Sequence, residues 1–398
     1  MTPRPAPAEQ RTPWGTITLV YLGGVVAAMS LGKFAPVGPA VTAELGLSLA
    51  QLGWVISTVV GVGAVAGLPA GYLVRRYGTD RSLVAGLVLV AAASGAGAAA
   101  GGYAWLLVAR GVEGVGYLLV TIACPALIVR LARDRDRGTA LSIWATFVAV
   151  GLGASTLAGG VIGGAAGWRG WIGVLAALTL GTAVVVRARL PREAARRPEA
   201  GAVPRARALV WPGVLAAGFC LTALMTIPVI VLLPTILVER HGHSAASAGA
   251  ATSVISLLSA LGGVALGMLL RRGTPIGVLA PAGLLILPAA WLMFGGHGPG
   301  PAVLAGAGVI SVMNGFLGAL VFAALPLLLE RLDHADVGNG VVAQAGSLGS
   351  LLGPPLFGLV AEGAGLPALV PVIAAGVTLS VAALLLAGRR TAHPLPSA

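Results

Sequence analysis

The residues of this chain that could do chemistry are few, and they stand where charge is costly. Against 25 Lys+Arg and 13 Asp+Glu in 398 residues, three charged side chains lie well inside long apolar runs: Lys33, Arg110 and Glu113. Lys33 is also the only lysine in the sequence. A charge at the centre of a bilayer costs at least about 2.5–3.5 kcal/mol unless it is paired or wetted. Arg110 and Glu113 are three apart, so on a helix they share a face and can pair. That pairing leaves Lys33 as a net positive charge, suited to a monovalent anion. Protonating Glu113 would free Arg110 and couple a proton to anion entry. The competing reading is structural: Lys33 snorkels to the outer headgroups, and the Arg110–Glu113 pair fixes helices.

Neutral polar groups at depth add candidates. Asn314 and Gln344 are expected to orient a ligand from the other side, or to act as helix–helix glue. Tyr117, one turn beyond Glu113, and Trp144 are expected to wall a cavity, or simply to pack. Asn339 reads as a helix-start residue, and Trp54 as an interfacial anchor. His241 and His243 have no third ligand near them, and Cys124 and Cys220 sit in apolar runs as small buried hydrophobes. No nucleophile–base arrangement, no G-x-x-x-x-G-K-[ST] loop and no metal cluster is recognisable, which points away from an enzyme and from any bound cofactor.

The elements that must position these groups are apolar spans. The chain is 57% hydrophobic and 10% charged, against about 25% charged in soluble domains, so its surface must face lipid. Spans are expected at 14–41, 49–74, 82–100, 103–131, 138–164, 168–187, 209–238, 245–270, 275–295, 300–329, 337–361 and 366–388. Each is long enough for a hydrocarbon core of roughly 30 Å. The net charge of +12 comes from arginines clustered between the spans. This is no nucleic-acid footprint but a topology signal, with about 21 of the 25 basic residues on one side. The expectation is an inner (plasma) membrane protein with both termini cytoplasmic, a lipid bilayer and a small solute as its partners, acting as a monomer. A polar Met1–Pro13 precedes a first span too long for a cleavable signal.

The polar, Arg- and Pro-rich stretch 188–208 divides the chain into six-span bundles at 1–187 and 209–398, an all-α membrane fold. The halves echo one another: Ser48, Gly53 and Ser57 recur as Ser244, Gly249 and Ser253. Gly71, Leu73, Arg75 and Arg76 likewise recur as Gly267, Leu269, Arg271 and Arg272. Two six-span repeats with a site between them is a transporter plan.

Gly71-Tyr72-Leu73-Val74-Arg75-Arg76-Tyr77-Gly78-Thr79-Asp80-Arg81 resembles the loop signature of the major facilitator superfamily, G-x-L-x-D-R-x-G-x-R-R. The usual acid is Arg75 here. The resemblance implies a cytoplasmic latch, rewired in this chain through Asp80, with Gly71, Arg75, Arg76, Gly78, Asp80 and Arg81 as its gating residues. Arg110-x-x-x-Gly114-x-Gly116 resembles the motif of proton-coupled members. Gly151-x-x-x-Ser155-Thr156-x-x-Gly159-Gly160 has Thr156 where antiporters carry proline. The stretches 32–36 and 44–54 resemble the cyanate-permease-like branch, associated with small anions and small organic solutes. In the superfamily spans 1 and 4 line one cavity, which would place Lys33, about 15 Å from the outer end of its span, near Arg110, about 10 Å from the outer end of its own. The implied function is a secondary transporter for a small anion, a symporter if protons are coupled. The alternative is a proton-driven exporter of hydrophobic drugs.

Overall fold

The structure, a computed structural model, describes residues 12–190, 204–243, 245–295 and 298–391. Among these residues it is helical, without strands. The first half holds α1 (Trp14–Gly32), α2 (Gly38–Leu45), α3 (Leu49–Tyr77), α4 (Thr79–Ala98), α5 (Tyr103–Leu131), α6 (Asp134–Trp144) and α7 (Phe147–Arg189). The second holds α8 (Val210–His241), α9 (Ala245–Arg271), α10 (Ile276–Leu279), α11 (Ile286–Phe294), α12 (Gly300–Leu328), α13 (Ala335–Ala364) and α14 (Leu369–Thr391). Among the described residues ten stretches are by themselves long and apolar enough to cross a membrane. One of them, 134–189, turns back at Gly167, whose φ of 71° only glycine adopts readily. Dividing it there and adding α13 gives the twelve expected crossings.

Local sequence explains where helices start and break. Ser48 and Gln51 form a reciprocal capping box that starts α3. The first span differs from expectation, because 14–41 is not one helix. Pro36 disfavours helical backbone at Ala35, so α1 stops at Gly32, five residues turn, and α2 begins at Gly38 with Pro39 in its first turn. The ninth crossing is likewise composite. Pro288 cannot bond the carbonyl of Leu284, and a 3-10 stretch, Ala280–Leu285, joins α10 to α11. The expected linker begins two residues late, since α7 reaches Arg189, and its centre, 191–203, lies outside the described residues.

Buried apolar side chains gather in one core built from α8–α14 and two in the first 190 residues, the larger of which also takes in Ala335 of α13. The halves meet at the arginine-rich end, through glycines that let backbones touch. A Cβ on Gly71 would lie 2.9 Å from the Asp336 carbonyl, and one on Gly340 would lie 2.7 Å from that of Gly67. Gly263 and Gly267 on α9 pack against Ser142 on α6 in the same way. Further along the same helices, Gly53 and Gly61 on α3, Gly249 on α9 and Gly358 and Gly363 on α13 have open space beside them. The tight contacts between the halves therefore start at the arginine-rich end and run to mid-helix, where Gly63 meets Ser347 and Gly153 meets Leu257.

Candidate functional site

Lys33 stands on the C-terminal end of α1, not deep within a continuous span. Three features hold it there. The last carbonyls of a helix lack intrahelical donors, and here Ser155 bonds the Met29 carbonyl at 2.8 Å, Arg110 that of Ser30 at 3.0 Å, and Trp171 that of Lys33 itself at 2.9 Å. The negative end of the helix dipole favours cations, and two are present. The ring of Phe34, buried beside them, lies 5.4 Å from the Lys33 ammonium and 5.3 Å from the Arg110 guanidinium.

The three charges form one cluster. Lys33 Nζ donates to both Glu113 oxygens, at 2.7 and 2.8 Å, and to Ser94 Oγ at 3.0 Å. Arg110 donates to Glu113 Oε2 at 2.6 Å, and its Nε donates to the Val55 carbonyl of α3 at 2.9 Å. Ser94 of α4 donates to Glu113 Oε1 at 2.7 Å. Lys33, Arg110 and Glu113 are 1%, 1% and 0% exposed. All three ammonium protons are used, and Lys33 points inward and does not snorkel. Two cations around one carboxylate leave a buried net positive charge. The expected Arg110–Glu113 pair is present, with Lys33 sharing the same acid. Ser94 and the Ser30 carbonyl carried no sequence signal. A serine among alanines and glycines looks like ordinary packing, and a backbone carbonyl is invisible in sequence.

The other candidates separate. Tyr117 is half-buried against the first-half core, and its hydroxyl has no hydrogen-bond partner among the described residues. Counting at 1.5 Å per residue, it lies at the same depth on α5 as Asn314 on α12, each fourteen residues from its helix start. Asn314 is half-buried. Trp144 departs from the cavity-wall expectation. It is fully buried, stacked on Phe147 at 4.1 Å, with its ring seated over Gly24 where any side chain would collide. Gln344 serves as glue: it accepts from Leu68 N at 3.0 Å and donates to the Ala64 carbonyl at 3.1 Å. Those two groups belong to one turn of α3, so the amide stitches α13 into the helix ladder of the other half.

At the arginine-rich end the latch is rewired, though not through Asp80. Arg75 donates to the Asp333 carbonyl. Arg130 of α5 donates to Asp336 Oδ2 of α13 at 2.7 Å and to Thr79 at 3.1 Å. Asp80 sits in the first turn of α4, where exposed N–H groups favour an acid, and it does not reach the other half. Arg76 lies over the Tyr77 ring and Arg81 is exposed. Gly78, with φ 96°, makes the turn between α3 and α4. The acid of the latch is Asp336, whose place in the first turn of α13 disguised it as an ordinary helix-start residue.

A family model, Major Facilitator Superfamily, matches residues 20–354. The chain is 28% identical over 402 residues to the 3-(3-hydroxy-phenyl)propionate transporter of Escherichia coli (strain K12), covering 94% of each chain. It is 30% identical over 197 residues to the tetracenomycin C resistance and export protein of Streptomyces glaucescens, covering 47% of this chain and 36% of that one. Among solved structures it is similar in fold to the fucose transporter FucP in the outward conformation, with a TM-score of 0.75 and 17% identity over 95% of this chain and 99% of that one. It is also similar to the human organic anion transporter MFSD10, with a TM-score of 0.76 and 17% identity over 95% and 100%.

Proposed function

The chain belongs to the Major Facilitator Superfamily and is a secondary transporter, and we propose that its solute is a small organic anion, a carboxylate, carried inward together with a proton. One observation carries this reading: two buried cations, Lys33 and Arg110, are neutralised by a single carboxylate, Glu113. A solute carboxylate offers the same two oxygens as Glu113. It can take Glu113's place on Lys33 and Arg110 once Glu113 accepts a proton, and the buried charge is then unchanged. Entry of one anion therefore requires one proton. Removing charges from water is costly unless geometry and hydrogen bonds compensate, so neither species binds well alone.

Tyr117, with a free hydroxyl just below the cluster, and Asn314, level with it on the facing half, are the groups we assign to the rest of the solute. The relative that is similar over 94% of the chain is named for an aryl propionate, which fits a carboxylate at the cluster and a ring beside Tyr117. The likeness of residues 32–36 and 44–54 to the cyanate-permease-like branch agrees with a small anion. The positive-inside rule places the arginine-rich end in the cytoplasm of an inner membrane. The end where the tight contacts start is then the cytoplasmic one, with the site facing outward. In this reading the halves, divided at 187 and 209, rock as two bodies, each protein working as a monomer without a cofactor.

The test is counterflow in proteoliposomes with labelled aryl and alkyl carboxylates and with neutral lipophilic compounds. Carboxylate exchange that disappears in Lys33→Ala and Arg110→Ala supports the proposal. Exchange of neutral compounds alone, with Lys33→Ala silent, overturns it in favour of drug export.

A further inference from the structure

Among the described residues, the latch between the halves holds two buried oxygen atoms that lack donors. Asp336 is fully buried, and only its Oδ2 is bonded, to Arg130; Oδ1 has no partner. Asn339, 2% exposed, donates from Nδ2 to the Ala335 carbonyl at 2.8 Å, and its Oδ1 also has no partner. The Asn339 amide cannot be turned round, because only its NH2 side can face a carbonyl. Residues 336 and 339 are three apart on α13 and lie on one face. Two unpartnered acceptors are thus buried within one turn of the same helix face, whereas buried polar groups are satisfied almost without exception.

One proton answers both. We propose that Asp336 is a proton-binding site of the closed latch, carrying its proton on Oδ1 and donating it to Asn339 Oδ1. The carboxyl's other oxygen still accepts from Arg130, as a neutral acid can. Balance is simple: on closure the Asp336 carboxylate takes one proton from the arginine-rich side, and on opening it returns it there. The charged groups around it are Arg130 from α5, Arg75 from α3 on the Asp333 carbonyl, and the segment before α13. In that segment Asp333 is paired with Arg331 at 3.1 Å, and His334 and Glu330 stand nearby. On α13 itself Asn339 is the neighbour. This site is separate from the solute cluster and does not depend on what the solute is.

Because the closed latch binds the proton and the open one releases it, acid favours closure. The obvious mutation discriminates. Asp336→Asn supplies an N–H where the proposal puts O–H and keeps an oxygen for Arg130, so the latch should stay closed at every pH. Asp336→Ala should open it. The readout is maleimide labelling of Ala343→Cys, in the seam between the halves, in a Cys124→Ser, Cys220→Ser background. Rates are divided by those of Asp336→Asn at the same pH to cancel thiol ionisation. With the proton site, that ratio rises about fivefold or more from acid to alkaline pH, and wild type shows a protonated-carboxyl infrared band that Asp336→Asn lacks. If Asp336→Asn labels as fast as Asp336→Ala, the latch is a plain ion pair and the proposal fails. It fails equally if the ratio is flat and the band is missing, which would put water between the two oxygens. The infrared band is read on wild type, so a misfolded variant does not rescue the idea.

Discussion

Two sites of this molecule set basic side chains on an acidic one to opposite ends. The Lys33–Glu113–Arg110 cluster is built from the end of α1 and from α4 and α5, all within the first half, and all three ammonium protons of Lys33 are used. The Arg130–Asp336 contact joins one half to the other, with Arg130 17% exposed and one Asp336 oxygen unbonded. A charge cluster internal to one rigid bundle is insensitive to how the bundles are tilted, so it can report occupancy. A pair split between bundles exists in one tilt and is lost in the other, so it reports conformation. Coupled transport needs both, and the chain keeps them about fifteen to twenty residues apart along α5.

The largest expected effect breaks the first site. Glu113→Leu leaves two buried cations with no anion, and removing one partner of a buried ion pair costs roughly 3–5 kcal/mol. The variant should be recovered poorly and melt far below wild type in detergent. Glu113→Gln keeps an acceptor for the cations and imitates the protonated acid. It should fold, exchange anion for anion, and no longer respond to an imposed proton gradient. Uptake by Glu113→Gln that still follows the gradient would place proton coupling elsewhere.

Next come changes at the seam. Gly71→Leu forces a side chain into the Asp336 and Val337 backbone, where a Cβ already lies 2.9 and 3.0 Å from its neighbours. Overpacking of this kind costs about 1–3 kcal/mol, and it falls on the closed state alone. Net uptake should drop sharply, while labelling of Ala343→Cys increases roughly tenfold or more. A smaller shift follows from Arg130→Met, which removes one cross-half hydrogen bond and keeps the stem. Labelling should rise about fivefold, the equivalent of ~1 kcal/mol. If Gly71→Leu and Arg130→Met leave labelling unchanged, the contacts at this end do not hold the closed state.

How far the sequence revealed these two sites follows the same division. Lys33, Arg110 and Glu113 were legible because each is a charge inside an apolar run, which has few physical excuses. The fold was legible for the same reason, as twelve apolar runs with arginines on one side. The break after Gly32 was not, since the 33–37 turn is itself apolar and Pro36 reads equally well as a kink. Asp336 and Arg130 were not legible as partners. They are 206 residues apart, each at a helix end where charge is ordinary, and only the docking of the two halves brings them together. Ser94 was hidden by being neutral, and the choice between wall and packing for Trp144 was not legible because its burial depends on Gly24 of another helix.

The smallest expected effect separates the end opposite the arginine clusters from both sites. Glu44 of α2 accepts from the Trp168 indole at 2.6 Å and from Arg169 at 3.0 Å, tying the short helix after the α1 break to the turn at Gly167. Those two donors, Trp168 first, hold its carboxyl below the usual carboxylate range. A carboxyl depressed by folding adds stability above its unfolded pKa, and that stability fades as pH falls through the folded value. The window therefore lies below about pH 4. The contact is solvent-exposed, and exposed pairs are worth little, so Glu44→Gln should leave carboxylate exchange at neutral pH unchanged. It should only remove a small acid-side dip in the melting curve. Loss of exchange at neutral pH in Glu44→Gln would instead mean that α2 takes part in closing the end opposite the arginine clusters, and that the Lys33–Glu113–Arg110 cluster is sensitive to bundle tilt after all.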